Sequence, residues 1–135
     1  GVADGVIQAI CSDHQPHGTD AKLAPFSESA AGIAGVETLL SLTLRLVDDD
    51  VLSLPRAIAA ITSEPARILG TERGQLSEGA PADICIFDPD TTWTVDAELL
   101  RSNGTNTPFD GWTLPGKVRW TLVAGQVRYE DIPTG

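Results

Sequence analysis

The chain has 135 residues, 41% of them hydrophobic, with nine basic against nineteen acidic residues for a formal charge of −10. A surface this acidic repels phosphate, which excludes a nucleic-acid groove and an anionic membrane surface as partners. No apolar run approaches the roughly 20 residues that cross a bilayer, nothing resembles a secretory leader, and a cytoplasmic location is the expectation. Cys11 and Cys85 lie in apolar runs with neither metal-ligand spacing nor a disulfide framework, so buried reduced thiols are expected.

The first element is Val6-Ile7-Gln8-Ala9-Ile10-Cys11-Ser12, a mostly apolar run of the kind that forms a buried parallel strand. It leads directly into Asp13-His14-Gln15-Pro16-His17, a polar loop dense in groups that do chemistry. A buried strand needs neighbours, and nothing upstream supplies them, so the pattern is that of a piece of a larger fold. Residues 18 to 34 read as a long loop containing Gly18, Pro25 and Gly32.

Gly35 to Val47 is predicted helical, with Val36, Leu39, Leu40, Thr43 and Val47 on one face and Leu42, Leu44 and Leu46 widening it. Asp48-Asp49-Asp50 ends it, because carboxylates oppose the negative end of the helix dipole. Ser53 and Pro55 open a second helix with an Ala57, Ile58, Ile61 stripe. Ser63 and Pro65 open a third, stopped by Gly70.

Beyond Gly74 the character changes to strands. Asp83 to Asp88 is predicted as a strand closed by Pro89, and Thr92 to Val95 as a short one. Val118 to Val123 and Gln126 to Tyr129 flank Ala124-Gly125, a hairpin signal, while residues 101 to 116 read as a Gly/Asn/Pro-rich loop. Trp93, Trp112 and Trp120 are expected as core or interface anchors, Glu37 as a cap for nearby backbone donors, and Asp83 as the residue that fixes the turn into its strand. Arg101 and Lys117 read as surface charges.

Asp13 ends an apolar strand, which in a (β/α)₈ barrel is the catalytic face. Ser12-Asp13-His14-Gln15-Pro16-His17, Pro25-Phe26 and Gly32-Ile33-Ala34-Gly35-Val36-Glu37-Thr38 together resemble the last barrel strand and following loop of dihydroorotases. Gly74-Gln75-Leu76, Gly79-Ala80-Pro81-Ala82-Asp83, Asp88-Pro89, Trp93, Asn106-Thr107-Pro108-Phe109, Gly111 and Gly125 follow that family's C-terminal region in order. The resemblance spans about residues 6 to 130. Allantoinases and hydantoinases share the Asp-His start, and His17 favours dihydroorotases over them.

The resemblance implies an α/β fold: the C-terminal part of a (β/α)₈ barrel in residues 1 to 70, and the C-terminal strands of a small β-sandwich in residues 71 to 135. It implies a zinc-dependent cyclic amide hydrolase of pyrimidine biosynthesis that interconverts dihydroorotate and carbamoyl aspartate. Asp13 matches the carboxylate that both ligates metal and moves the proton. His17 matches the group that contacts the substrate carboxylate, and Ala31 and Gly32 match a backbone segment that touches substrate. His14 is not a ligand in the family's motif and reads as a residue that packs or supports the site residues from behind.

The family's remaining zinc ligands and its His-x-His motif lie upstream of the matched region. With two histidines in the chain, a self-contained zinc site is rejected. The expected partners are the N-terminal part of the barrel, a small-molecule substrate and further copies of the chain. Gln15 and Asp20-Ala21-Lys22 resemble a divergent branch, some of whose members are non-catalytic and support aspartate transcarbamoylase. That structural role is the alternative to catalysis.

Overall fold

The computed structural model describes residues 1–131; the last four positions of the expected sandwich segment, 132–135, lie outside the described residues. Three helices precede three strands: α1 (Leu39–Asp48), α2 (Leu54–Ile61), α3 (Ser63–Ile68), β1 (Ile84–Thr94), β2 (Thr113–Val123) and β3 (Gln126–Glu130). The strands form one antiparallel sheet in the order β1-β2-β3. Among the described residues no helix is long and apolar enough to cross a membrane.

Helix α1 begins at Leu39, four residues later than its apolar spacing suggests, because Val36 to Thr38 form a turn with Val36 half exposed. It closes by geometry as well as by charge. Asp50 takes a left-handed φ of 56°, its N–H bonds the Val47 carbonyl, and the Val51 N–H reaches back to Leu46. That pattern is a Schellman motif, in which a left-handed residue returns the chain to the orphan carbonyls. Gly70, with φ 67°, stands in the corresponding place after α3.

The core lies where α1 crosses β2. Leu44 and Leu114 are buried there, with Val95 close to fully buried as well. The Ser41 hydroxyl donates to the Gly116 carbonyl at 3.2 Å and accepts from the Trp93 indole at 3.0 Å, so helix and two strands share one satisfied polar contact. Gly116 has φ 81°, and a Cβ there would collide with Leu44 Cδ1. Gly116→Ala therefore combines left-handed strain with overpacking. Chemical denaturation should show a loss of about 2–5 kcal/mol, summing those two effects.

The hairpin forms where Ala124-Gly125 places it, with φ of 50° and 77° as a two-residue primed turn requires. Asp83 Oδ1 accepts the Ala124 N–H at 2.8 Å and the other oxygen pairs with Arg73, so the Asp83 side chain fixes the hairpin turn rather than the turn into its own strand. Strand β1 does not stop at Pro89. The ladder breaks between Asp88 and Thr92 and then resumes, so Pro89 sits in a bulge where its missing N–H costs nothing. Asp88 organises that bulge by accepting from the Thr91 hydroxyl and the Asp90 and Thr91 amides. The Thr91 hydroxyl first, then the Asp90 amide, hold its carboxyl below the usual carboxylate range. The loop expected over 101–116 ends at Trp112, since Thr113 to Gly116 already pair with β1 or pack on α1.

Two expectations need correction. Residues 6–12 open on a bend and join no strand among the described residues. Ile10 N–H bonds the Ala60 carbonyl at 2.9 Å, and the Arg56 guanidinium holds the Ile7 and Gln8 carbonyls at 3.1 Å each. Val6 remains 73% exposed, because among the described residues no strand lies alongside. Cys11 and Cys85 are both exposed rather than buried. Cys11 belongs to that unpaired segment, and Cys85 lies on β1 opposite Thr121 with its side chain exposed.

Candidate functional site

Asp13 occupies the left-handed region at φ 43°. Asp enters that region more readily than most residues, yet it costs energy there, and such strain gathers at functional sites. The conformation ends the extended segment and turns the chain into the His14–His17 loop. The Asp13 side chain is exposed, and its Oδ2 accepts from Gln15 Nε2 at 3.2 Å.

A second loop lies against the first. The Gln15 N–H donates to the Ile33 carbonyl at 2.8 Å, and His14 and Ile33 form an isolated parallel bridge. His14 Nδ1 accepts from the Gly35 and Val36 amides at 3.1 and 3.3 Å. The imidazole thus serves as a latch on the turn before α1. His17 Nε2 lies 3.2 Å from the Ala31 carbonyl oxygen. Gly32, with φ 92°, passes so close to the Gln15 side chain that a Cβ would collide with it.

The structure therefore brings His17, Ala31 and Gly32 together, and links Asp13 to them through Gln15. Two organising residues were not visible as such in the sequence. Lys22 Nζ donates to the Ala30 carbonyl and, at 2.8 Å, to the Gly32 carbonyl. Asn106 reaches in from the segment between β1 and β2 to bond both loops. Glu37 does not cap its own helix: its carboxylate accepts the Arg101 and Ser102 amides at 3.0 and 2.9 Å, fastening that same segment. Arg101 itself stacks over the Tyr129 ring at 5.0 Å, and Lys117 lies 3.7 Å from Asp131, so neither is an idle surface charge.

Beside Ser12 an open groove of about 190 Å³ runs between the extended segment and α1, lined by Ile10, Cys11, Ile33, Leu39, Leu42 and Phe109. Among the described residues no three His, Cys, Asp or Glu side chains converge as a metal site requires. Asp13 offers one carboxylate donor, His14 is committed to backbone amides, and a catalytic zinc takes three protein ligands. The residues present do not by themselves fit a zinc centre.

Comparison with known proteins bears on what this arrangement belongs to. A profile described as the amidohydrolase family matches residues 3–129. The chain belongs to the amidohydrolase family. It is 48% identical over 127 residues to a dihydroorotase from Geobacter metallireducens, covering 94% of this chain and 30% of that protein. It is 51% identical over 126 residues to a dihydroorotase-like protein from Pseudomonas putida, covering 93% of this chain and 30% of that one. Among solved structures, an L-hydantoinase (dihydropyrimidinase) from Arthrobacter aurescens superposes with a TM-score of 0.86 at 32% identity, covering 96% of this chain and 30% of that one. The chain thus spans about 30% of the length of these amidohydrolase relatives. Its helices and sheet are a dihydroorotase-like portion of an α/β amidohydrolase.

Proposed function

We propose that the full-length protein to which these residues belong is a dihydroorotase, which opens or closes the ring of dihydroorotate. The observation that carries this reading is Asp13: a strained, exposed carboxylate at the end of an apolar extended segment, beside two loops held against each other. The names of the relatives support the same class of reaction. In this reading residues 1–70 complete a barrel whose other strands pair with residues 6–12, and the β1-β2-β3 sheet joins strands from outside the chain.

In ring opening, the oxygen of a water bonds to the cyclic amide carbon and the carbon–nitrogen bond breaks. Asp13 takes the proton from the attacking water and returns it to the leaving ring nitrogen, which balances the step. His17 donates toward the substrate carboxylate, and the Ala31-Gly32 backbone bounds the ring on one side, where the lack of a Cβ at Gly32 permits close approach. The family resemblance adds zinc, to which Asp13 would contribute one ligand and residues outside this chain the rest.

The test is an assay of the full-length protein on dihydroorotate, carbamoyl aspartate, hydantoin and allantoin. Turnover of the first pair supports the reading, and turnover confined to hydantoin or allantoin replaces it with another cyclic amidase. His17→Ala should raise KM about ten- to a hundredfold, the loss expected for a hydrogen bond to a charged group, roughly 1.5–3 kcal/mol. Steady-state kinetics on dihydroorotate checks it.

A second reading has its own support in the 51% identity to a protein named only dihydroorotase-like. In it the full-length protein is a non-catalytic subunit that stabilises aspartate transcarbamoylase. Inactivity on all four substrates, together with co-purification with that enzyme, decides for it.

A further inference from the structure

We infer that Asn106 is a positioning residue that clamps the two site loops into one surface. The inference rests on the site reading above. Its side chain makes three hydrogen bonds, all to backbone and all across long stretches of chain. Oδ1 accepts the His17 N–H at 2.7 Å, and Nδ2 donates to the Gln15 carbonyl at 3.0 Å and the Gly32 carbonyl at 3.3 Å. Its own carbonyl accepts the Ala34 N–H at 3.3 Å. One residue therefore touches the backbone of both segments that carry the proposed substrate contacts.

The surroundings keep it there. The neighbouring Thr105 N–H donates to the His17 carbonyl at 3.1 Å. Gly104 lies so close to Pro16 and the His17 amide that no Cβ would fit. Glu37 holds the same segment at Arg101 and Ser102. The side-chain amide satisfies needs of opposite kind: one N–H to be received and two carbonyls to be supplied. Among side chains of its size only an amide does both, since a carboxylate accepts and cannot donate. Loops 15–17 and 31–34 have few other bonds between them, chiefly Gln15 to Ile33 and His17 to Ala31. Without Asn106 the spacing between His17 and Gly32 would depend on those two contacts in an exposed region.

Two variants of the full-length protein separate positioning from general stability. Asn106→Ala removes all three side-chain bonds. Asn106→Asp keeps the acceptor for His17 and loses both donors. Hydrogen exchange read by mass spectrometry should show the peptides over 13–18 and 30–36 exchanging about tenfold faster in Asn106→Ala, as expected for the loss of several modest hydrogen bonds. Protection in α1 and β1 should not change. In Asn106→Asp the 30–36 peptide should lose protection while the His17 amide keeps it.

In the kinetic arm, KM for dihydroorotate should rise about tenfold in both variants with kcat within about twofold, because substrate contacts and not the proton carrier are displaced. Unchanged exchange in both peptides overturns the inference, and so does faster exchange throughout α1 and β1, or a fall in kcat at constant KM. Absence of turnover in the unsubstituted protein would overturn the functional reading instead, and the exchange pattern then decides the clamp alone.

Discussion

Asp13→Ala in the full-length protein should lower kcat on dihydroorotate by several powers of ten. General acid–base catalysis by a positioned group contributes about 10²–10⁴-fold, and losing a ligand at a metal centre adds to that. The geometry gives no substitute. Gln15, the partner of the Asp13 carboxylate, cannot take a proton, and His14 has its Nδ1 committed to the Gly35 and Val36 amides. The measurement is single-turnover ring opening with bound zinc determined on the same sample. An Asp13→Ala protein retaining full activity would show that the alignment of this loop with the dihydroorotase loop is wrong.

The 135-residue chain on its own should hold less than stoichiometric zinc and show no turnover of dihydroorotate. Asp13 is one donor where about three are needed, and among the described residues no group of three donors converges. The groove between the extended segment and α1 is walled by Ile10, Ile33, Leu39, Leu42 and Phe109 and is open on one side. Apolar surface of that kind is commonly covered by a partner. In the proposed fold the other barrel strands cover it. Elemental analysis and a ring-opening assay with added zinc test this; stoichiometric zinc with measurable turnover would mean that the active site is built from other residues.

Local signals in the sequence located most of the elements. The Gly70 stop and the Ala124-Gly125 turn each depend on a few adjacent residues, and each appears where its chemistry places it, whereas α1 buries Ser41, Thr43 and Leu44 and leaves Val36 of its expected face exposed. Errors arose where distant chain intervenes. Pro89 reads as a terminator, but β2 continues past the bulge and rescues the strand on its far side. Glu37 reads as a helix cap, but Arg101 and Ser102 arrive with amides of their own. Cys11 and the apolar run before it read as buried, and among the described residues no element covers Val6, Ile7 or Cys11.

The candidate site divides in the same way. Asp13 and His17 stand out by residue type in a short polar loop, and Gly32 by its lack of a side chain. Asn106 acts across 89 residues to His17 and 91 to Gln15, and no local pattern announces such a partner.

The segment joining β1 to β2 has the composition of a surface loop, and surface loops ordinarily gain and lose residues freely. Here it is fastened almost continuously. Ala97 is held by Asp110, Arg101 and Ser102 by Glu37, Thr105 by His17, and Gly111 by Val95. One extra residue between Ser102 and Asn106 adds about 3.5 Å of chain, more than the length of any hydrogen bond Asn106 makes. The length of this connection is therefore as constrained as a strand register. Natural insertions and deletions in relatives should gather instead around Phe26 and Leu76, where side chains stand in open solvent and the hydrogen bonds run only to nearby residues.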